Sequence, residues 1–554
     1  MKEKSRLRAF LFAALSAACL YLTAIHAAED LKPVTIGPAD RPEDVVRKAA
    51  SVTPSERQFT WQEVEFAAFV HFGMNTFTNR EWGEGKEDPK LFNPTDFNAR
   101  QWVAAFKEAG MKMLILTAKH HDGFCLWPSR STEHSVKNSP WRGGKGDIVA
   151  EVADACREAK LKLGLYLSPW DRHEPKYGDS PAYNEHFKNQ LGELLTNYGD
   201  VADVWFDGAC GEGPNGKRQI YDWPAYWSVI RELQPKATIS IMGPDVRWCG
   251  NEAGISRESE WSVVPFFKPV EEATSDSLGG LNFQQKDLGS RPVLFEAAKK
   301  GAQLVWYPAQ VDTSIRPGWF YHAAEDGKVR PLDRLLDIYY GSVGGNCMLL
   351  LNVPPDQRGR IHENDAQRLK EIGNILRATF ADNLAKGAKA AASNTRKGGI
   401  FGAANTIDAD KDSYWSPDDG VTAASIEYDF GTAKTFNVAM LQEQIHVGQR
   451  IEEFFLDAWT GSSWKEIVRS TTVGYKRLLR FPELTALRLR VRITKSRVCP
   501  TLSNFGLFRA PAIAPAPKPP LKEPNARGTR YPVPVWSAAP QRTIPFETAR
   551  DRES

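Results

Sequence analysis

From Phe66 to about Ala378, short apolar runs alternate with amphipathic stretches, and the alternation predicts strand–helix units closing on a parallel sheet. Candidate strands fall at 66–72, 113–118, 163–167, 202–206, 238–241, 260–264, 303–306 and 348–351, a count that fits an α/β fold with a (β/α)8 TIM-type barrel. Between them, helical spacing of apolar positions predicts helices at 100–109, 148–159, 183–196, 224–233 and 331–340, with a last one at 364–380. Asp147 is a good N-cap for the second of these. After residue 380 the texture changes. Ile426, Tyr428 and Phe430 alternate with Glu427 and Asp429, and Leu487, Leu489, Val491 and Ile493 alternate with Arg488, Arg490 and Arg492. Each run has one apolar and one wet face, the signature of an antiparallel β-sandwich. The domain reading is therefore a barrel over 29–380, a sandwich over 387–510 and a proline-rich tail over 511–554 with too few apolar residues for a core.

Composition narrows the class. With 71 basic against 68 acidic residues the chain has no polyelectrolyte character, which argues against nucleic acid as a partner. Lys2, Lys4, Arg6 and Arg8 precede the apolar run 9–23, and Ala27 and Ala28 offer a cleavage point, so residues 1–28 read as a secretory signal peptide and the protein as exported, periplasmic or extracellular. The run is shorter than the roughly 20 residues of a spanning helix. Cys19 follows Ser16-Ala17-Ala18 without the large aliphatic residue of a lipoprotein site, which argues against lipid anchoring. The other cysteines, 125, 156, 210, 249, 347 and 499, show no C-x-x-C spacing. Export permits a bridge, with Cys210 and Cys249 the conceivable pair on one barrel face; buried free thiols are the alternative.

Four consecutive strands end in residues of the kinds that bind sugars: His71; Lys119-His120-His121-Asp122-Gly123-Phe124; Tyr166; and Trp205-Phe206-Asp207-Gly208. A parallel barrel places such carboxyl-end residues on one catalytic rim, and core packing alone does not call for buried His, Tyr and Asp there. A metal held by His120 and His121 is disfavoured, because no H-x-H or H-E-x-x-H spacing supplies further ligands. If Asp207 is a nucleophile, a second, protonated carboxyl group must come from a later loop. Glu252 is a candidate, in the glycine- and tryptophan-rich run 242–254; Glu258 and Glu260 compete, and position alone leaves the choice open.

Together with Glu81-Trp82, these motifs stand in the order seen in α-L-fucosidases of glycoside hydrolase family 29, which the stretch from about Gln58 to Pro355 resembles. The resemblance implies that Asp207 is the nucleophile, that His71, His120, His121 and Tyr166 hold the fucose hydroxyls, that Trp205 belongs to the same substrate rim, and that Glu81 and Trp82 form a further sugar-binding pair. Gly243-Pro244-Asp245 through Gly250-Asn251-Glu252 is similar to the branch preferring α1,3- and α1,4-linked fucose. That likeness implies Glu252 as acid/base, against Glu258, Glu260 or Glu296. Trp319 is a candidate wall for the fucose methyl, or else core packing. Residues 391–394, 405–410, 414–416 and 502–506 resemble a discoidin-like F5/8 type C or carbohydrate-binding domain, in which Asp408, Asp410 and Asp412 offer oxygen ligands for calcium; a turn without metal accounts for them as well. The implied activity is a retaining exo-α-L-fucosidase acting on fucosylated oligosaccharides or glycoconjugates with no required cofactor. The alternatives are a silent glycan-binding protein and another exo-glycosidase on the same barrel.

Overall fold

The computed structural model describes residues 33–268, 280–283 and 285–512. The leader reading of 1–28 and nearly all of the proline-rich tail lie outside these residues. Eight parallel strands form the barrel: β1 (Phe66–Val70), β2 (Met113–Lys119), β3 (Lys162–Leu167), β4 (Asp203–Phe206), β5 (Thr238–Ile241), β6 (Arg247–Trp248), β7 (Ala309–Ser314) and β8 (Cys347–Asn352). They run in the order β5-β4-β3-β2-β1-β8-β7-β6, and a parallel bridge between Ser240 and Val246 brings the two ends of the sheet together. Both faces of this sheet are covered. All seven residues of β2 are buried, which is why the strands read as continuous apolar runs. The outer helices follow the predicted periodicity to within a few residues. In Ile148–Ala159, for example, Asp147 caps the Ala150 N–H at 2.9 Å while Ile148, Val149, Val152 and Cys156 face the barrel.

Two expected barrel strands belong elsewhere. The segments predicted at 260–264 and 303–306 form Val263–Phe266 and Ala302–Trp306, which pair antiparallel with each other, and Val34–Ile36 pairs with the latter in a small flanking sheet. Their places in the barrel are taken by β6 and β7. Neither has an apolar run: β6 is Arg-Trp, and β7 alternates Gln310, Asp312 and Ser314 with its remaining residues, all six buried. Those polar side chains are made tolerable by partners inside the barrel. Gln310 accepts from Trp205 Nε1 at 2.7 Å, Asp312 accepts from Trp248 Nε1 at 2.7 Å, and Ser314 donates to Gly318 O at 2.7 Å.

Beyond Glu363–Phe380, the C-terminal domain is an antiparallel sheet ordered Lys389–Ala392, Ala424–Gln442, Arg477–Ser496, Ile451–Trp459 and Trp464–Ser470, with Asn504–Phe508 pairing on Ala424–Gln442. Register breaks after Asp429 and Phe436 bend the long strands, which close over an apolar core that includes Trp415, Tyr428, Phe436, Phe454 and Phe505. The six described cysteines are free thiols, so the conceivable Cys210–Cys249 bridge is not formed. No described helix is long and apolar enough to cross a membrane.

Candidate active site

Asp207 leaves β4 at its carboxyl end. Its Oδ1 accepts from the Ala209 N–H at 2.7 Å and its Oδ2 from the Tyr166 hydroxyl at 3.1 Å, while His121 Nε2 stands 3.9 Å from Oδ2. The carboxylate is thus aimed by a backbone N–H from its own strand end and by a phenol from β3. Beneath it, Tyr166 stacks on Trp205 with ring centroids 5.1 Å apart, and Phe69 packs against both. Burial raises the Tyr166 hydroxyl pKa, as does the Asp207 charge, so it stays a donor at ordinary pH.

The three histidines are neutral for one physical reason, burial, which pushes His71 down to about 4, lowers His121 and lowers His120 well below its ordinary value. Their partners then assign the ring protons. Asn352 donates its amide to Ser314 Oγ at 2.9 Å and to Trp319 O at 2.8 Å, so its Oδ1, 2.8 Å from His71 Nδ1, accepts, and His71 Nε2 keeps a lone pair. Ser168 donates to Trp170 O at 2.7 Å, so its Oγ, 2.7 Å from His121 Nδ1, accepts, and His121 Nε2 is likewise an acceptor facing Asp207. Asn75 Nδ2 lies 3.4 Å from His120 Nδ1, a donor contact that leaves His120 with a proton on Nε2. Two acceptors and one donor of this kind suit a ring of sugar hydroxyls.

Glu252 approaches from the loop after β6. Its Oε2 accepts from Trp319 Nε1 at 3.3 Å, and its pKa is raised by the surrounding protein and by the charges of Asp207 and Glu81. Glu81 holds the Trp319 loop: it accepts from the N–H of Trp319 at 2.8 Å and of Phe320 at 3.2 Å and pairs with His322 Nε2 at 2.7 Å. Trp319 sits 5.1 Å from the His71 ring, and Phe320 presents its ring to His71 and His120. Trp82 is 43% exposed and meets His121 and Trp170 edge-on at the rim.

The α-L-fucosidase family model matches residues 43–379, and the F5/8 type C domain model matches 389–503. The chain belongs to the α-L-fucosidase family. Alpha-L-fucosidase 1 of Arabidopsis thaliana is 45% identical over 461 residues, covering 82% of this chain and 87% of the plant protein. Among solved structures, a Bacteroides ovatus protein provisionally described as an α-L-fucosidase is 49% identical with a TM-score of 0.77, covering 86% and 78% of the two chains. A Ruminococcus gnavus GH29 fucosidase in complex with fucose is 34% identical with a TM-score of 0.73, covering 83% and 95%. This fucosidase is therefore a glycoside hydrolase, with fucosylated glycans as its substrate class.

Of the glutamates that competed with Glu252 in the fucosidase sequence, Glu260 is fully buried and ion-paired to Arg247 and Arg257. Glu296 lies on an outer helix, paired with Lys299 at 2.6 Å. Glu258 is exposed, and its carbonyl is bound by the C-terminal domain. Asp408 and Asp410 accept from the backbone N–H groups of Asp410 and Asp412, both at 2.9 Å, in consecutive tight turns. Among the described residues no group of three or more His, Cys, Asp or Glu is arranged to hold a metal ion.

Sequence reasoning missed Asn352, Ser168, Phe320 and the β7 acid Asp312, whose burial, with the Glu252 charge, pushes its pKa up to about 8. It also missed what lies behind the His120-His121-Asp122-Gly123 turn. A Cβ on Gly123, at φ 78°, would fall 2.4 Å from Asp171 Oδ1. Asp171 in turn holds the buried Lys119 ammonium at 2.9 Å, which also donates to Gln190 at 2.8 Å.

Proposed function

We propose that this enzyme is a retaining exo-α-L-fucosidase in which Asp207 is the nucleophile and Glu252 the acid/base, acting on α1,3- and α1,4-linked branches. The observation that carries the reading is the meeting of two carboxyl groups in opposed environments at one rim. Asp207 is held by two donors as an acceptor, whereas Glu252, though its carboxyl group reaches solvent, is pushed toward its protonated form by partial desolvation from the protein around it and by the Asp207 charge. In the first step an Asp207 oxygen bonds to the anomeric carbon, the glycosidic C–O bond breaks, and the Glu252 proton goes to the leaving oxygen. In the second, Glu252 takes a proton from water as its oxygen displaces Asp207, releasing fucose. His71 and His121 accept hydrogen bonds from sugar hydroxyls, His120 donates one, and Trp319 with Phe320 faces the 6-methyl group. Binding of fucose by the Ruminococcus gnavus relative supports a fucose pocket here. The engagement of Glu260 and Glu296 in ion pairs favours Glu252 as the acid.

The linkage preference rests on the Gly243–Glu252 loop pattern, and the basic-then-apolar N-terminus supports export. Free fucose released from Lewis-type trisaccharides and from 2'-fucosyllactose tests the first: fast release from the branched sugars is expected, and equal rates on the α1,2 compound refute it. Asp207→Ala should abolish hydrolysis, with azide restoring turnover as a fucosyl azide. Fucoside binding without turnover by the wild-type protein would favour the glycan-binding alternative.

A further inference from the structure

The loop that carries Glu252 is held by the barrel at both ends, and at the downstream end by the C-terminal domain as well. Upstream, the Cys249 N–H donates to Gln310 O of β7 at 2.9 Å. The turn then closes on itself, Asn251 Nδ2 donating to Ile255 O at 2.8 Å and Asn251 Oδ1 accepting from the Ala253 N–H at 3.1 Å. Downstream, barrel contacts continue, Ser256 Oγ donating to Gly341 O at 2.6 Å and Asn346 Nδ2 to Glu260 O at 3.0 Å, and the C-terminal domain joins them. Glu258 O accepts from Thr471 Oγ1 at 3.0 Å and from Arg477 Nη2 at 2.9 Å. Gln449, fully buried, donates Nε2 to Glu260 O at 3.1 Å and accepts the Ser262 N–H at 2.8 Å. The Glu260 side chain is tied back to Arg247 of β6, so the gripped segment and the strand that launches the loop are fastened together. Arg497 of the same domain lies 3.7 Å from the Trp261 ring.

Arg477 is only 7% exposed, and burying it or Gln449 costs solvation unless these hydrogen bonds are made. Their acceptors and donors in the barrel are backbone atoms of one short segment. Such contacts hold that segment in a single register, where a merely adhesive interface would need only apolar area.

We propose that the C-terminal domain positions the acid/base: Arg477, Gln449 and Thr471 fix residues 258–262 and thereby the reach of Glu252 to the leaving oxygen. The proposal rests on Glu252 being the acid. Its signature is selectivity for the leaving group. A glycan leaving group needs the proton, whereas a chloronitrophenolate departs without it, and general acid catalysis contributes about 10²- to 10⁴-fold.

The test uses the full-length enzyme and its Arg477→Met, Gln449→Leu, Thr471→Val and Arg477→Lys variants, with kcat/KM measured on a Lewis-type trisaccharide and on 2-chloro-4-nitrophenyl α-L-fucoside. Arg477→Met and Gln449→Leu should lose about tenfold or more on the trisaccharide, the cost expected of a small misplacement of a catalytic group, while the aryl fucoside changes less than about threefold. Arg477→Lys should recover most of the trisaccharide activity. If the larger changes prevent folding, Thr471→Val removes a single donor, and faster amide exchange across 249–262 with the same selective loss is expected. Equal losses on both substrates, or none on either, overturn the proposal. Glu252→Ala separates the two claims. A selective trisaccharide loss there without one in the domain variants rejects positioning alone, and a non-selective Glu252→Ala rejects the acid itself.

Discussion

Replacing Trp319 by phenylalanine keeps an apolar ring beside His71 and removes one group, the Nε1–H that donates to Glu252 Oε2 at 3.3 Å. That donor favours the carboxylate, so it works against the partial desolvation and the Asp207 and Glu81 charges that raise the Glu252 pKa. Its removal therefore raises the pKa further. A hydrogen bond to a charged acceptor contributes about 1.5 to 3 kcal/mol. Here the bond is long and the glutamate is open to solvent, so water replaces much of it and about 0.5 to 1 kcal/mol remains. At about 1.4 kcal/mol per pH unit, the shift is about half a unit upward. The assay is the pH dependence of kcat/KM on an oligosaccharide, whose alkaline limb reports loss of the acid's proton in the free enzyme. Trp319→Phe should move that limb up by about half a unit and leave the acidic limb in place. An alkaline limb that stays put or moves down, in a variant with wild-type melting temperature, refutes both the Trp319–Glu252 contact and the role of Glu252.

Glu81→Gln leaves one acceptor oxygen for the Trp319 and Phe320 N–H groups; with the carboxylate 38% exposed, about 1 to 2 kcal/mol of loop fixation is lost and KM for fucosides should rise, up to about 5- to 30-fold. The same variant removes a pH dependence. Glu81 raises the His322 pKa, so the pair stabilises the fold fully below the ordinary histidine value of about 6.5 and loses that contribution as pH rises through the His322 value. Thermal unfolding against pH should show this loss in the wild type and not in Glu81→Gln. Lys119→Met strips a fully buried ammonium from Asp171, whose pKa, despite burial, that charge helps hold down to about 2. The variant should lose about 3 to 5 kcal/mol in denaturant unfolding at neutral pH, and a loss below about 1 kcal/mol would mean the pair is dispensable.

The strands whose residues face the barrel interior and the helix layer as apolar side chains were legible: β1 to β5 and β8 lie where continuous apolar runs predicted them, within a few residues. The β6 and β7 strands were not, because the barrel interior near the rim is polar. Arg247 hides its charge against Glu260, and Gln310, Asp312 and Ser314 alternate at period two, a strand signal without hydrophobicity. The segments chosen in their place are apolar because they fill a second layer, against Val34–Ile36. At the site, the sequence singled out His71, His120 and Asp207 just past strand ends and Tyr166 near the end of β3, and the structure brings these four together. What fixes their protons was not legible, because Asn352, Ser168 and Asn75 are ordinary polar residues until distant segments meet. The function of Glu81 as the holder of the Trp319 loop depends on a contact 238 residues away in sequence, and no local pattern announces it.

The central claim is that Asp207 carries the sugar between the two steps. Incubation with 2-deoxy-2-fluoro-α-L-fucosyl fluoride, followed by proteolysis and mass spectrometry, tests it directly. A single fluorofucosyl adduct on the peptide containing Asp207 is predicted, with Asp207→Ala left unlabelled. An adduct on another carboxylate would contradict the account.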